Sequence, residues 1–234
     1  MITVFTSCHN QGKYLPEAIE SVLRQTESDF EYLIYDDGST DNTWQTIQHY
    51  AKQDSRIRPI KLRKQANVGV VINLSVERAK GQYWVWCPAD DRLAPTLLAH
   101  KLCWSMELPT SVLYDNWFQI NAKGIVVKET DVKIMSAEDF ALEVWNTSPI
   151  GFTGIWIPTS VLKWLPFPEH LAFSEDFFWM IKATIHGIRF FGVPERLHYK
   201  RVHSDRLTDK NLDAILAQIP VIREELRKYK ESLK

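Results

Sequence analysis

Two acidic clusters of this chain each follow a short apolar run. The sequence Asp-Asp-Gly-Ser at 36–39 follows the run 30–35, and Asp90 and Asp91 come shortly after the run 83–87. Short continuous apolar runs are typical of buried parallel strands, and ligands of open α/β sheets bind beyond the carboxyl ends of the strands. Both clusters are therefore expected to face one crevice. Because adjacent carboxylates repel one another, a cation, a ribose or a base should bind them there, which indicates a metal-assisted nucleotide site.

Strand and helix patterns alternate through the first half of the chain. They predict strands over 2–6, 30–35, 57–62 and from 83, and helices over 15–25, 41–53, 70–79 and 95–107. Ser39 or Asp41 is expected to cap the second helix, and Pro95 to lie in the first turn of the fourth. Repeated strand-helix units imply a parallel sheet with right-handed crossovers, the half-Rossmann arrangement.

The second half has a mixed pattern. It predicts strands over 112–120 and 125–128 around a turn at 121–124, a helix over 136–145, a strand over 155–157, a helix over 174–186 with Ser174 as its cap, and strands over 188–193 and 197–202. The tail from 209 to 234 carries an apolar stripe, with Pro220 as an expected kink. The stripe should pack on its own domain or on a second subunit, which leaves a homodimer open.

Composition narrows the function classes. With 234 residues, 45% of them hydrophobic, the chain is expected to form one globular unit. Its formal net charge of -1 argues against nucleic acid as a partner. Three cysteines and no secretory signal favour a cytoplasmic protein. No apolar stretch reaches the length of a membrane span, and peripheral contact with the inner face of a membrane stays open.

Four separate stretches of the chain form an ordered set of motifs: 6–10 with 14–15 and 18–26; 30–43, with its Asp-Asp-Gly-Ser-Thr-Asp-Asn-Thr core; 67–95; and 174–176 with 201–203. In these stretches and in their order, the chain resembles the family-2 glycosyltransferases, which are inverting enzymes with the nucleotide-sugar-binding fold called GT-A. The resemblance implies an α/β fold of GT-A type, with a half-Rossmann, mostly parallel sheet flanked by helices and a mixed acceptor-side portion. It implies one domain over 1–208, with a nucleotide-binding half at 1–107 and an acceptor-binding half at 108–208. The helical tail 209–234 follows.

The resemblance also assigns roles to individual residues. Asp176 is implied to be the base that deprotonates the acceptor hydroxyl. Asp90, at the last position of the family's Asp-X-Asp motif, and His203 are implied to bind Mg2+ or Mn2+ on the diphosphate. The residues implied to bind the nucleotide sugar are Ser7, Asp36, Asp37, Asn67, Asp90, Asp91, Glu175 and Arg201. The implied reaction is transfer from a nucleotide sugar, with UDP favoured, to a glycan or lipid-linked acceptor in cell-surface polysaccharide or glycoconjugate synthesis.

Two departures from the family pattern keep alternatives open. Pro88 stands where the first Asp of Asp-X-Asp is usual, and no Arg precedes Asn73. A non-catalytic subunit that keeps the fold and binds nucleotide sugars is therefore one alternative. A sugar nucleotidyltransferase is less favoured because the loop after the first strand is not rich in glycine. An oxidoreductase is less favoured still, because no Gly-X-Gly-X-X-Gly motif follows that strand.

The acidic residues also have structural interpretations. Asp36, directly at a strand end, is expected to have no capping role, whereas Asp91 is a candidate cap for the helix near Pro95. Asp176 lies in the first turn of a helix, where the dipole favours any acidic residue. Four aromatic residues are candidates for a sugar-stacking wall: Trp117, Trp145, Phe152 and Trp156.

Overall fold

Strands and helices alternate along the chain in a computed structural model that describes residues 1–63, 66–204, 206 and 210–233. The strands are β1 (Ile2–Cys8), β2 (Phe30–Asp36), β3 (Ile57–Lys61), β4 (Tyr83–Trp86), β5 (Arg92–Leu93), β6 (Val112–Ile120), β7 (Val126–Thr130), β8 (Trp156–Pro158) and β9 (Phe190–Arg201). The helices are α1 (Leu15–Leu23), α2 (Thr43–Gln53), α3 (Val68–Arg78), α4 (Leu97–Glu107), α5 (Ala137–Glu143), α6 (Thr159–Trp164), α7 (Glu175–Ile185) and α8 (Leu212–Ser232). The short elements β5 and α6 were not predicted, because two and six residues carry too little periodicity.

The described strands form one mixed sheet in the order β3-β2-β1-β4-β8-β6-β9-β5, with β7 paired to β6. In the first half, β1 pairs in parallel with β2 and β4, and β2 pairs in parallel with β3. The register places Cys8 opposite Asp36, so the ends of β1 and β2 lie side by side. This part confirms the predicted half-Rossmann arrangement. The carboxyl ends of its strands meet at one edge of the sheet.

The second half is mixed, also as predicted. Strand β8 runs antiparallel to β4 and β6, and β9 runs parallel to β6. The two strands predicted over 188–193 and 197–202 are in fact one strand, β9, whose register shifts next to Asn116. The side chain of Asn116 donates a hydrogen bond to the carbonyl of Pro194 at 2.7 Å. The Pro194 carbonyl therefore has a hydrogen-bond partner, and the extended backbone continues through the proline.

Two predicted helix starts need correction. Helix α4 begins at Leu97, so Pro95 precedes it instead of lying in its first turn. Ser174 occupies the cap position of α7, but its backbone is left-handed, with φ at 60°, and its side chain makes no capping hydrogen bond. Asp41 does stabilise the start of α2, because its carboxylate accepts a hydrogen bond from the backbone N–H of Thr43 at 2.9 Å.

The sheet separates two hydrophobic cores because successive side chains of a strand point to opposite faces. Along β2, Tyr32 and Ile34 pack into one core, whereas Leu33 and Tyr35 pack into the other. All four side chains are fully buried. The central strands are therefore rigid on both faces, and they hold the residues at their carboxyl ends in fixed positions.

The C-terminal helix α8 packs on its own domain. Its buried side chains Ile222 and Leu226 join the core that contains Phe177, and the Tyr229 hydroxyl lies 2.8 Å from Nε2 of His186. The helix continues through Pro220. The predicted domain boundary at 208 and 209 lies outside the described residues. Among the described helices, none is both long and apolar enough to cross a membrane.

Shortening Leu226 tests this packing. Leu226→Ala should lower the free energy of unfolding by about 2–5 kcal/mol, because it opens a cavity in the core. Leu216→Ala on the same helix is the matched control, since Leu216 is 54% exposed and should cost no more than about 0.5 kcal/mol. Urea denaturation of both variants measures the difference. Equal losses would show that α8 does not depend on the core.

Candidate functional site

The loops that follow β1 and β2 are joined by hydrogen bonds. Asn10 has a left-handed backbone, with φ at 54°, a conformation that Asn tolerates better than most residues. Its Oδ1 accepts a hydrogen bond from the N–H of Thr40 at 2.8 Å, and its own N–H donates to Oγ of Ser39 at 2.9 Å. The two loops therefore form a single wall beside the strand ends.

Asp36 ends β2 with a fully buried side chain. Its Oδ1 accepts a hydrogen bond from the N–H of Ser39 at 3.0 Å, in the turn that precedes α2. Its Oδ2 is buried and has no hydrogen-bond partner among the described residues, while Nζ of Lys61 lies 4.0 Å away. A buried carboxylate oxygen without a partner is costly, so a donor from a ligand would satisfy it. Half-buried Ser7 lies near it, one residue before the end of β1.

Asp37 and Asn67 hold the segment that leads into α3. Oδ1 of Asp37 accepts a hydrogen bond from the N–H of Ala66 at 2.9 Å, and burial raises the pKa of the Asp37 carboxyl. The side-chain amide of Asn67 donates to the carbonyl of Glu169 at 3.0 Å. Both side chains therefore position backbone around the crevice. Their predicted contacts with the nucleotide sugar stay predictions.

Asp90 and His203 meet beyond the end of β4. Oδ2 of Asp90 lies 3.1 Å from Nε2 of His203, and the Asp90 side chain is 22% exposed. The His203 ring is buried and packs on the ring of Tyr14, with 4.6 Å between their centroids. A rigid imidazole thus faces a carboxylate that solvent or a ligand can reach.

A buried guanidinium fixes this pair. Nε of Arg201 donates to the backbone carbonyl of Asp90 at 2.7 Å, and Nη2 donates to Glu17 at 2.8 Å. The guanidinium also packs 4.8 Å from the centre of the Tyr14 ring. In this conformation Arg201 positions Asp90; its predicted contact with the donor stays a prediction. Sequence reasoning missed Glu17, because nothing separates it from an ordinary exposed residue of α1.

Asp91 does not cap α4, so that interpretation is wrong. Its two oxygens accept hydrogen bonds from Oγ1 of Thr153 at 2.5 Å and from the backbone N–H of Arg201 at 2.7 Å. Burial, together with the neighbouring charge of Asp90, raises the pKa of Asp91 to about 7. The carboxyl joins the end of β4 to β9 and to the loop containing Thr153. Thr153 was not predicted from the sequence.

Asp90 and His203 fit a divalent cation whose remaining ligands come from a substrate. Among the described residues, no group of three or more His, Cys, Asp or Glu side chains could hold a metal by itself. Mg2+ is usually held by only one or two protein carboxylates, and waters and substrate phosphates complete its octahedral shell. Asp90 and His203 supply one carboxylate and one imidazole. Such a pair suits a cation that is bound together with a diphosphate.

The acidic pair Glu175 and Asp176 lies half-buried in the first turn of α7. Oδ1 of Asp176 accepts a hydrogen bond from the N–H of Phe177 at 2.7 Å. Burial raises the pKa of both carboxyls, and the charge of Asp176 adds to the shift of Glu175, whose pKa rises to about 8. With a pKa of about 8, the Glu175 carboxyl keeps its proton at neutral pH. In its ionised form, the Asp176 carboxylate can accept a proton from another group.

Lys200 interacts electrostatically with an acid that follows β4 and with one in α7. Sequence reasoning missed this lysine. Its positive charge lowers the pKa of both Asp91 and Asp176 against the larger effect of burial. Its ammonium lies 5.5 Å from the centre of the Trp117 ring. In the sequence, Lys200 is indistinguishable from a solvated residue of a strand.

Most of the proposed aromatic wall is core. Trp156 is fully buried against Tyr83, and Phe152 packs between Phe167 and Trp179, so neither prediction of a sugar-stacking role holds. Half-buried Trp145 lies under Lys230 of α8. Only Trp117, of the four, lies beside the acidic residues through its contact with Lys200.

Comparisons with known proteins agree with this geometry. Residues 3–160 match the family model described as glycosyl transferase family 2. Over 107 residues, 46% of this chain and 42% of the relative, the chain is 34% identical to the putative teichuronic acid biosynthesis glycosyltransferase TuaG of Bacillus subtilis. Over 118 residues it is 29% identical to glycosyltransferase GlyG of Streptococcus pneumoniae, with 50% of this chain and 39% of that relative covered. The chain thus spans about two fifths of these relatives' length.

Two solved structures share the fold. The S. aureus TarS fragment 1–349 in complex with UDP-GlcNAc is 21% identical with a TM-score of 0.73, over 94% of this chain and 66% of that one. The mannosyltransferase PcManGT from Pyrobaculum calidifontis, in complex with GDP-Man and Mn2+, is 17% identical with a TM-score of 0.73, over 97% and 64%. These likenesses confirm the predicted α/β fold of GT-A type.

The raised pKa of Glu175 predicts a pH-dependent stability. The folded protein keeps this proton to about pH 8, whereas an unfolded Glu loses it near 4.5, so folding stability should fall as the pH rises through that interval. Glu175→Gln cannot ionise. Its melting temperature should therefore exceed that of the wild type most above pH 8 and least near pH 5.

Thermal unfolding between pH 5 and 9 measures this difference. Glu138→Gln is the matched control, because Glu138 is an exposed acid in the first turn of α5 and its loss removes a similar helix-dipole interaction. A gain for Glu175→Gln that stays constant over the pH range, or that Glu138→Gln reproduces, would contradict the assignment of the proton.

Proposed function

Because the chain belongs to glycosyl transferase family 2, we propose that it transfers a sugar, with inversion, from a nucleoside diphosphate donor to an acceptor hydroxyl. One observation carries the proposal: Oδ2 of Asp36 is buried and without a partner among the described residues at the carboxyl end of β2. Ligands of open α/β sheets bind at that edge. A ribose hydroxyl or the ring N–H of uracil would donate a hydrogen bond to this oxygen.

A nucleotide-sugar donor is supported by the two structural neighbours. TarS binds UDP-GlcNAc and PcManGT binds GDP-Man. We favour UDP, since a carboxylate at Asp36 accepts from a uracil N–H, and guanine is the alternative that a binding panel would reveal. Ser7, Asp37 and Asn67 would complete the wall around the base and ribose.

Asp90 and His203 would hold Mg2+ or Mn2+. When bound, the cation would offset the negative charge of the leaving diphosphate. The Mn2+ in the PcManGT complex supports a divalent cation. Arg201 keeps Asp90 in place through the Asp90 backbone carbonyl. The ion pair between Arg201 and Glu17 at 2.8 Å orients the guanidinium.

Asp176 would act as the general base. Its ionised carboxylate takes the proton of the acceptor hydroxyl, the hydroxyl oxygen bonds to the anomeric carbon, and the bond from that carbon to the diphosphate oxygen breaks. Attack opposite the leaving group inverts the anomeric centre. Glu175 keeps its own proton at neutral pH and so adds no second negative charge beside the base.

The acceptor and the cellular setting are inferred from a relative. The name of TuaG refers to teichuronic acid biosynthesis, which supports a role in cell-surface polysaccharide synthesis. A glycan or a lipid-linked saccharide would be the acceptor, in a pocket shaped by the half over 108–208. The cytoplasmic location, peripheral membrane contact and a homodimer stay predictions.

Removing the carboxylate of Asp90 tests the metal site. Asp90→Asn should weaken binding of the nucleotide sugar in the presence of Mn2+ by at least about tenfold, the usual cost of a damaged metal site. Binding without Mn2+ should change little. Calorimetric titrations with and without the cation separate the two, and Asp213→Asn on the exposed face of α8 is the control. A loss of the same size in metal-free buffer would contradict a role in metal binding.

Replacing Asp176 tests the reaction itself. Asp176→Asn keeps the shape of the side chain, so donor affinity should stay within about twofold while transfer falls roughly 10²- to 10⁴-fold. Steady-state kinetics with a transferable acceptor, together with calorimetry of the donor, measure both effects. If Asp176 only stabilised its helix, transfer by the variant would stay near wild type. If the wild type binds the donor with Mn2+ but neither transfers nor hydrolyses it, the non-catalytic alternative would be supported instead.

A further inference from the structure

Lys200 is half-buried, and its charge acts on Asp91 and Asp176 without a direct ion pair to either carboxylate. Lys200 lies near the end of β9, and its Nζ lies 5.5 Å from the centre of the Trp117 ring. Among the described residues, this ammonium forms no hydrogen bond or ion pair. A cation over an aromatic face recovers only part of the hydration that it loses on burial. The position therefore favours an anion as its partner.

A buried chain of contacts fixes the ring beneath this ammonium. Trp117 stacks on His198, with 5.7 Å between centroids and 23° between planes. Nδ1 of His198 lies 2.7 Å from Oδ2 of Asp115, and the other oxygen of Asp115 accepts a hydrogen bond from fully buried Lys101. Rings and ions held in this way lose little entropy when a ligand arrives. Lys200 is thus presented by a preorganised support.

The side chain of Lys200 points to the face of β9 opposite the guanidinium of Arg201, toward Trp117 and Gly151. Adjacent residues of a strand point to opposite faces, and the guanidinium of Arg201 is directed to Asp90 and Glu17. On the other side, a Cβ built on Gly151 would lie 3.5 Å from Nζ of Lys200. The near contacts of its ammonium, Trp117 and Gly151, belong to the half over 108–208, although its charge also acts on Asp91.

We propose that Lys200 binds an anionic group, a carboxylate or a phosphate, on the acceptor sugar beside the hydroxyl that Asp176 deprotonates. The inference rests on the proposed glycosyl transfer and names the class of acceptor. An acidic acceptor would form a direct ion pair with the ammonium of Lys200, whereas a neutral one would not. Lys200 therefore selects acidic saccharides, and Trp117 is a positioning residue that acts through it.

Three matched acceptors test the inference: 4-nitrophenyl β-glucoside, 4-nitrophenyl β-glucuronide and 4-nitrophenyl β-glucoside 6-phosphate. They differ only at C6, so they separate a neutral group, a carboxylate and a phosphate. With UDP and Mn2+ bound, the wild type should bind at least one charged glycoside about 10- to 100-fold more tightly than the neutral one, as a hydrogen bond between charged groups predicts. Lys200→Met should abolish this preference and Lys200→Arg should keep it.

The control is Lys182→Met. Lys182 lies near the end of α7, and its ammonium also lies over an aromatic ring, 5.3 Å from the centre of the Tyr229 ring. It should keep the preference. Binding is read by calorimetry without turnover, so failure of the wild type to transfer sugar would overturn the proposed function and leave this test intact. Equal affinity of the wild type for the three glycosides, including none for any of them, would overturn the inference. So would a loss in Lys200→Met that is the same for all three, or that falls on UDP.

Discussion

The geometry of the site depends on one buried cation, the guanidinium of Arg201. Its side chain is fully buried, and an uncompensated charge in that position would be strongly destabilising. The guanidinium is compensated by the carbonyl of Asp90, by Glu17 of α1 and by the carbonyls of Asn121 and Ala122 in the turn between β6 and β7. Because these groups come from separate parts of the chain, α1, the end of β4 and the hairpin of β6 and β7 come together only where Arg201 can reach all of them. The position of Asp90 follows from that closure.

The site contains two pairs of adjacent acids, and their carboxyls differ in burial, hydrogen bonding or pKa. Asp91 is buried and hydrogen-bonded to Thr153 and to β9, whereas Asp90 remains partly exposed toward the crevice. In the α7 pair, burial and the charge of Asp176 raise the pKa of Glu175 to about 8, and burial raises the pKa of Asp176 as well. Neighbouring carboxyls with different pKa values take different roles in many enzymes.

The sequence predicts what depends on local pattern. Alternating apolar runs and helical periodicity were enough for the parallel strands β1 to β4 and the helices between them, and turn chemistry was enough for the hairpin of β6 and β7. Patterns could not show that Asn116 satisfies the carbonyl of Pro194 and lets β9 run on as one strand, since that contact joins residues 78 positions apart. The same limit applies to Lys200 and Glu17, whose importance comes from long-range contacts. Trp156 was predicted to stack on a sugar because the sequence does not show whether a tryptophan side chain faces the core or the crevice.

The central claim is that Oδ2 of Asp36, which accepts no hydrogen bond from the described residues, recognises a nucleotide. Calorimetric titration of UDP, GDP and dTDP with Mn2+ into the wild type and Asp36→Asn tests it most directly. Asn keeps an oxygen for the N–H of Ser39 but replaces Oδ2 with a hydrogen-bond donor. The account predicts that the wild type binds one of these nucleotides and that the variant binds it about 10- to 100-fold more weakly, the cost of losing a hydrogen bond to a charged group. Asp54→Asn, just before β3 at the opposite edge of the sheet, should bind like the wild type. An Asp36→Asn protein that folds and keeps wild-type affinity for all three nucleotides would contradict the account.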